Sequence, residues 1–140
     1  MIKPITVADV EYVVFRLAKQ LMDWDEPIPD IKERASGILE SCLSQPFQKV
    51  YGKTLYRGLS KKSAIMFYLL VKNHPLSNGN KRIAVMSLIL FLYINGYWLN
   101  VSNDMLYKFA LSVANSLSVD KDTNLQQIKE FISKYSQRIV

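Results

Sequence analysis

One cysteine and one histidine in 140 residues set the first limits on this sequence. A single cysteine, Cys42, excludes an internal disulfide and a cysteine-based zinc site. It is typical of the reducing cytoplasm, where we expect this protein to reside. Cys42 shares an apolar helical face with Ile38 and Leu39. The pattern therefore predicts a small buried hydrophobe rather than a nucleophile.

Long apolar runs and linker sequences are also absent. The most apolar stretch, Ile83 to Ile94, has about a dozen residues against the roughly twenty that a bilayer requires, so we expect a buried helix and no membrane partner. The amino-terminal MIKPITVADVEY lacks the apolar segment of a signal peptide. The whole chain has 49% hydrophobic and 21% charged residues, which is typical of a globular protein. We predict a single domain over residues 1–140.

Acidic residues are fewer than basic ones. The chain has 12 Asp and Glu and 18 Lys and Arg, which gives a formal net charge of +6. This excess favours anionic partners such as nucleotides, nucleic acid or an acidic protein. The basic residues are scattered and give no helix a dense cationic stripe, so the sequence does not favour a surface that reads nucleic acid. A basic helical nucleic-acid binder is kept as a third hypothesis.

Helical spacing dominates the first third of the chain. Thr6 begins a helix that ends near Met22, and Asp30, with an acidic residue three positions later, begins a second helix that ends at Pro46. The predicted apolar face of the first helix comprises Val7, Val10, Val14, Leu17 and Leu21.

The rest of the chain predicts a short irregular segment and four more helices. Periodicity fails from Phe47 to Leu59, which indicates a loop or a short hairpin. The predicted helix starts that follow are Ser60, Asn80 or Lys81, Asn103 and Thr123. The helix that starts near Asn80 is apolar on nearly all sides and stops at Gly96, which is typical of a helix surrounded by others. About six helices and at most one hairpin assign the chain to the all-α class.

The polar stretch HPLSNGNKR, residues 74–82, separates the two most apolar helices. A loop that ends at the start of a buried helix directs backbone N–H groups and the positive end of the helix dipole toward one point, where phosphate binds well. Gly79 lets an anion approach the backbone, and Lys81 and Arg82 oppose the dipole, so they favour a compensating anion. His74 can accept a proton from a hydroxyl near neutral pH.

Each of these residues also has a structural explanation. His74 can be a helix C-cap or a structural histidine. Gly79 and the residue before it can form a plain turn, and Lys81 and Arg82 can be a solvated helix start. Only their combination in one short loop favours phosphate chemistry.

The stretch HPLSNGNKR, followed by an apolar helix that ends in NGY, resembles the signature of the Fic/Doc (Fido) family. The resemblance covers roughly residues 6–133 and includes IPDIKERASGILESCLSQP, which is similar to the second helix of the family. It implies an all-α helical bundle around a buried central helix, with a short β-hairpin flap. It also implies binding of ATP and transfer of part of it to a hydroxyl of a target protein.

The residue at position 81 bears on which part of the nucleotide is transferred. Most members of the family carry Gly there and transfer AMP, whereas the death-on-curing (Doc) branch carries Lys, as here, and transfers the γ-phosphoryl group to a translation elongation factor. The resemblance therefore implies a phosphotransferase toxin, with AMP transfer as the alternative. It also implies a small antitoxin that covers the site.

The resemblance also implies roles for individual residues. His74 is similar to the base that acts on the target hydroxyl. The residues implied to bind nucleotide phosphate are Ser77, Asn78, Gly79, Asn80, Lys81 and Arg82. The segment implied to act as the flap, which docks an extended part of the target, comprises Val50, Tyr51, Gly52 and Lys53.

Two residues depart from the family pattern. Leu76 replaces a Phe that fixes the loop to the core, which exchanges one apolar side chain for another. Asn78 replaces the acidic ligand of Mg²⁺, and a neutral amide oxygen binds a hard cation more weakly than a carboxylate. The alternative hypothesis is therefore a degenerate Fido domain that binds nucleotide or a protein partner without catalysis.

Overall fold

The computed structural model describes residues 1–22, 36–76 and 79–139. Helices dominate these residues, so the predicted all-α class is confirmed. The first helix, α1, consists of Val7–Asp9, a π-helical turn at Val10–Val14, and Phe15–Leu21. The other helices are α2 (Ser36–Ser44), α3 (Gly58–Lys72), α4 (Asn80–Ile94), α5 (Asn103–Ala114) and α6 (Lys121–Tyr135). The strands are β1 (Lys49–Val50), β2 (Lys53–Thr54), β3 (Tyr97–Leu99) and β4 (Ser136–Arg138).

Helix α1 begins where the sequence predicts. The Thr6 hydroxyl accepts from the Asp9 N–H at 3.1 Å, and the Asp9 carboxylate accepts from the Thr6 N–H at 2.8 Å, which closes a capping box. The predicted apolar face is partly wrong, since Leu21 is 59% exposed and Met22 is buried instead. The π turn at Val10–Val14 contains more residues per turn than an α-helix, so the buried positions after it shift from Leu21 to Met22.

Helices α3 and α4 form the core of the fold. They pack against each other, and nearly every side chain of α3 from Lys62 to Val71 is buried. Helix α4 begins at Asn80 and is followed by a left-handed Gly96, both as predicted. Because Phe47 contacts both Lys62 near the start of α3 and Phe91 near the end of α4, the two helices run antiparallel. The polar stretch of residues 74–82 comprises the loop between them and the first three residues of α4.

A short hairpin stands at the end of this helix pair that is remote from the polar loop. Strands β1 and β2 are antiparallel, with Lys49 opposite Thr54 and Val50 opposite Lys53. Tyr51 and Gly52 between them both have positive φ, which is the two-residue type I′ turn that joins antiparallel strands. The predicted hairpin is therefore present.

Several predicted boundaries differ from the structure. Helix α3 begins at Gly58 rather than after a Ser60 cap, because Gly58 adopts a φ of +83° that lets the chain turn out of the hairpin. Helix α5 is capped by Ser102, one residue before the predicted Asn103. Helix α6 begins at Lys121, so Thr123 lies inside it and does not cap it. The predicted capping box at Asp30 lies outside the described residues.

A second pair of strands was not predicted from the sequence. Strand β3, directly after the central helix α4, pairs antiparallel with β4, directly after α6. Three residues are too few to show an alternating pattern, so the sequence gives no periodic signal for either strand. The pairing ties the end of α4 to the last helix.

None of the helices in the described ranges is long and apolar enough to cross a membrane.

Candidate functional site

The histidine of the polar loop stands at the end of α3. Asn73 is the C-cap of that helix, and its N–H donates to the Leu69 carbonyl at 2.9 Å. His74 follows with a φ of +47° and an exposed side chain. A left-handed residue after the C-cap is a common way to end a helix, but the position is usually glycine. His74 therefore has the predicted helix-end geometry and presents its imidazole to solvent.

The loop after His74 is fixed by the amide of Asn80. Its Oδ1 accepts from the Leu76 N–H and its Nδ2 donates to the Leu76 carbonyl, both at 3.0 Å. Leu76 and Pro75 are buried, so Leu76 fills the apolar position that the resemblance implies. The Asn80 side chain thus holds the loop in place. Its amide is occupied by Leu76, so the group of Asn80 that is suited to bind phosphate is its backbone N–H.

The start of α4 has the local geometry of an anion site. Gly79 is the N-cap, with a φ of +76°, and its carbonyl accepts from the Ile83 N–H at 3.0 Å. Glycine has no side chain with which to cap the first turn, so the N–H groups at the start of the helix face the loop. Ser77 and Asn78 lie outside the described residues, and their predicted phosphate and metal roles stay predictions.

The two basic residues of the loop lie in different surroundings. Lys81 is half-buried, whereas Arg82 is only 7% exposed. Arg82 Nη2 donates to the carbonyls of Ala18 at 2.8 Å and Met22 at 2.6 Å, at the end of α1. The structure does not bring Arg82 into a cationic pair with Lys81, because its guanidinium is directed at main-chain carbonyls. Sequence reasoning missed this contact, since the partners are 60 and 64 residues away.

The central part of the sequence is strongly biased toward positive charge. From Ser41 to Asn103 there is no Asp or Glu. The basic residues in this segment are Lys49, Lys53, Arg57, Lys61, Lys62, Lys72, Lys81 and Arg82. The loop and both helices that flank it therefore supply positive charge alone, which favours a polyanionic ligand.

Cys42 lies beside the end of α3. Burial raises the pKa of its thiol from the usual 9.0 to about 11, against the opposing effect of a hydrogen bond with Asn73. A thiol of this pKa carries almost no thiolate at neutral pH, in agreement with the predicted role as a buried hydrophobe. On the outer side of this contact, a surface cavity of about 340 Å³ is lined by Gly37, Ile38, Ser41 and Asn73. It adjoins the residue that precedes His74.

The hairpin predicted to act as the flap precedes α3, whereas His74 follows it, and its role in docking a target stays a prediction. Helix α3 separates the hairpin from His74, and its 15 residues correspond to about 22 Å of helix. The hairpin instead rests on Lys62, whose Nζ donates to the Tyr56 carbonyl and lies 5.5 Å from the Phe47 ring centroid. Burial lowers the pKa of Lys62. Val50, Tyr51, Gly52 and Lys53 form the turn of this hairpin.

The loop does not have the donor set of a protein-bound magnesium ion. Between His74 and Arg82 the side chains include no carboxylate, and the described residues contain no group of three His, Cys, Asp or Glu that could hold a metal. Mg²⁺ prefers carboxylate and water oxygens. These residues therefore do not fit a protein-held Mg²⁺.

Comparison with known proteins decides the family. The profile of the Fic/DOC family matches residues 4–92, which is more than half of the chain. The chain belongs to the Fic/DOC family. It is also 37% identical over 76 residues to the toxin Doc of Mycolicibacterium smegmatis, in a match that covers 54% of this chain. The chain matches only 58% of the length of that relative. No solved structure matches the chain.

Proposed function

We propose that this Fic/DOC protein is a toxin that transfers the γ-phosphoryl group of ATP to a hydroxyl of a target protein. The observation that carries the proposal is the arrangement of one loop. An exposed His74 stands at one end, and a glycine-capped helix start with Lys81 stands at the other. The similarity to a toxin Doc supports the same reaction class.

In this reaction the target hydroxyl oxygen forms a bond to the γ-phosphorus, and its proton passes to an imidazole nitrogen of His74. The bond between the γ-phosphorus and the bridging oxygen breaks, and ADP leaves. Amide groups at the start of α4 and the ammonium of Lys81 stabilise the charge spread over the transferred phosphoryl group. In AMP transfer, the alternative, the same hydroxyl attacks the α-phosphorus and pyrophosphate leaves.

Labelled nucleotide distinguishes these reactions. The purified protein is incubated with Mg²⁺ and either γ- or α-labelled ATP, together with a purified bacterial translation elongation factor or a bacterial lysate. Label on protein from γ-labelled ATP alone supports phosphoryl transfer, and label from α-labelled ATP alone supports AMP transfer. His74→Ala is the control, because it removes the base. Equal labelling by this variant would contradict the assigned role of His74.

A second function is favoured by Asn78. The neutral amide in place of the acidic ligand suggests a domain that binds nucleotide or a protein partner without turnover. Asn78→Asp tests this possibility: a transfer activity that appears only in the variant would establish that the natural protein lacks the metal ligand. High activity of the natural protein that the substitution leaves unchanged would exclude it.

The partners follow from the proposed toxin role. The target is a cytoplasmic protein such as a translation elongation factor, and a small antitoxin covers the site. Co-expression of the protein with a short reading frame encoded beside its gene tests the second point: growth inhibited by the protein alone should be restored when such a product is also made.

A further inference from the structure

Arg82 occupies an unusual position for a residue of a phosphate-binding loop. It lies in the first turn of α4, yet its side chain is 7% exposed and extends to the end of α1. Resting on the function proposed above, we propose that Arg82 is a positioning residue that fixes the start of α4 against α1. Lys81 then supplies the cation that contacts the phosphates.

The contacts of Arg82 are those of a helix C-cap. Ala18 is the last buried residue of α1 and Met22 is its C-cap, and both of their carbonyls accept from the same guanidinium nitrogen. The Ala18 carbonyl also accepts from the Met22 N–H at 3.2 Å. Carbonyl groups in the last turn of a helix carry partial negative charge, which a cation stabilises. A planar guanidinium is well suited to this, because its donors are held in a fixed direction.

Burial makes this arrangement persistent. If Arg82 turned toward a phosphate, it would leave the Met22 carbonyl without this donor beside buried side chains. An unsatisfied buried carbonyl is costly, and a charged donor makes a stronger hydrogen bond than a neutral one. The guanidinium is therefore better suited to stay at α1 throughout the reaction.

The position of Arg82 sets the direction of its neighbours. Successive residues of a helix point about 100° apart, so anchoring Arg82 inward fixes the rotation of the first turn and the side on which Lys81 emerges. It also fixes the direction of the amide groups that follow Gly79. Transfer reactions are sensitive to displacements of this kind, because most of their catalysis comes from positioning.

A pair of matched variants separates a positioning residue from a phosphate ligand. Arg82→Met and Lys81→Met each remove one cation from the same turn. We expect Arg82→Met to lower kcat by about tenfold or more, to change the Kd for ATP by less than about threefold, and to lower the urea midpoint. We expect Lys81→Met to weaken ATP binding by about tenfold and to lower the urea midpoint less than Arg82→Met does.

Arg82→Lys is the rescue variant. A lysine ammonium can donate to two carbonyls, so this variant should recover part of kcat and of the urea midpoint. An increase of about tenfold in the Kd for ATP in Arg82→Met, with unchanged unfolding, would overturn the inference and make Arg82 a phosphate ligand. If Arg82→Met does not fold, the ATP Kd and kcat of Arg82→Lys decide in the same way.

Failure of the proposed function would be distinguishable from failure of this inference. If the natural protein transfers nothing to any target, amide hydrogen exchange still reports on the start of α4. Exchange at the Ile83 amide, which donates to the Gly79 carbonyl, and at the amides of the following turn should accelerate more in Arg82→Met than in Lys81→Met. Unchanged exchange in both variants would overturn the positioning role without reference to catalysis.

Discussion

His74 and Tyr51 are the non-glycine residues that adopt a left-handed backbone in the described part of the chain. That conformation costs an L-residue about 1–2 kcal/mol relative to the right-handed one. Tyr51 has a geometric reason, because the type I′ turn of the hairpin requires positive φ. At the end of a helix, however, glycine would satisfy the same geometry without strain. A strained histidine retained there agrees with a use for its imidazole.

Replacing His74 by Gly should therefore stabilise the protein while it removes the predicted base. We expect His74→Gly to raise the free energy of unfolding by about 1 kcal/mol, because glycine tolerates the positive φ. His74→Ala is the control, since it also removes the imidazole but keeps the strained backbone. Urea unfolding of the three proteins measures the effect. Equal stability of the Gly and Ala variants would show that His74 is not strained.

Cys42 should make stability depend on alkaline pH. Its pKa is about 11 in the folded protein against a usual 9.0, so the folded state keeps a proton that the unfolded state loses. The contribution is present below pH 9 and is lost as the pH rises from 9 to 11. Between pH 8 and pH 10 the natural protein should lose about 1 kcal/mol of unfolding free energy that Cys42→Ala does not lose. Parallel curves for the two proteins would contradict the raised pKa.

Among the elements, the polar loop shows what the sequence could and could not predict. Its position between two apolar helices, its left-handed glycine and the start of α4 at Asn80 all follow from local patterns. The bond between the Asn80 amide and the Leu76 backbone does not, because it depends on the path of the intervening loop. Helix starts at Ser60 and Thr123 were predicted wrongly because a serine or threonine caps a helix only where the preceding chain is extended.

The Asn80 amide should contribute more to the free energy of unfolding than an equivalent amide on the surface. Asn80→Ala leaves the buried N–H and carbonyl of Leu76 without partners, so we expect a loss of about 2–4 kcal/mol. Asn95 at the other end of α4 is the control, since the half-buried amide accepts from and donates to the exposed backbone of Lys3 and also donates to the Phe91 carbonyl at 2.8 Å. Asn95→Ala should cost about 1 kcal/mol or less, because water replaces the lost bonds. Urea unfolding compares the two, and equal losses would show that the loop does not depend on Asn80.

For the whole molecule, the net charge does not show how many of its cations are available to bind a ligand. Lys62, Lys72 and Arg82 all direct their charges at main-chain carbonyls inside the fold. Lys72, for example, donates to the Ser116 carbonyl at 2.5 Å and the Ala114 carbonyl at 3.3 Å, which caps the end of α5. The sequence shows how many cations there are, but not that a share of them is used within the fold. The helical class and the family were predictable because they rest on local patterns and one contiguous motif.

Two lysines with the same formal charge should therefore differ in their effect on stability. Lys72→Met removes a charged cap from α5 and should cost about 1–3 kcal/mol. Lys108→Met removes a cation that pairs with the highly exposed Asp104 at 3.1 Å, and should change stability by less than about 0.5 kcal/mol. Thermal or urea unfolding at one ionic strength measures both. Equal effects would indicate that net charge, rather than capping, sets the contribution of these residues.

The bonds from Arg82 to α1 also have a consequence for the order of folding. Helices α3 and α4 are joined by a short loop and can pair early, whereas Arg82 meets residues 60 and 64 positions away, which a chain reaches late. A contact that forms after the rate-limiting step of folding changes the unfolding rate and leaves the folding rate unchanged. Stopped-flow experiments on Arg82→Met should therefore show faster unfolding with an unchanged refolding rate, so that the protein would have a shorter native-state lifetime without folding more slowly.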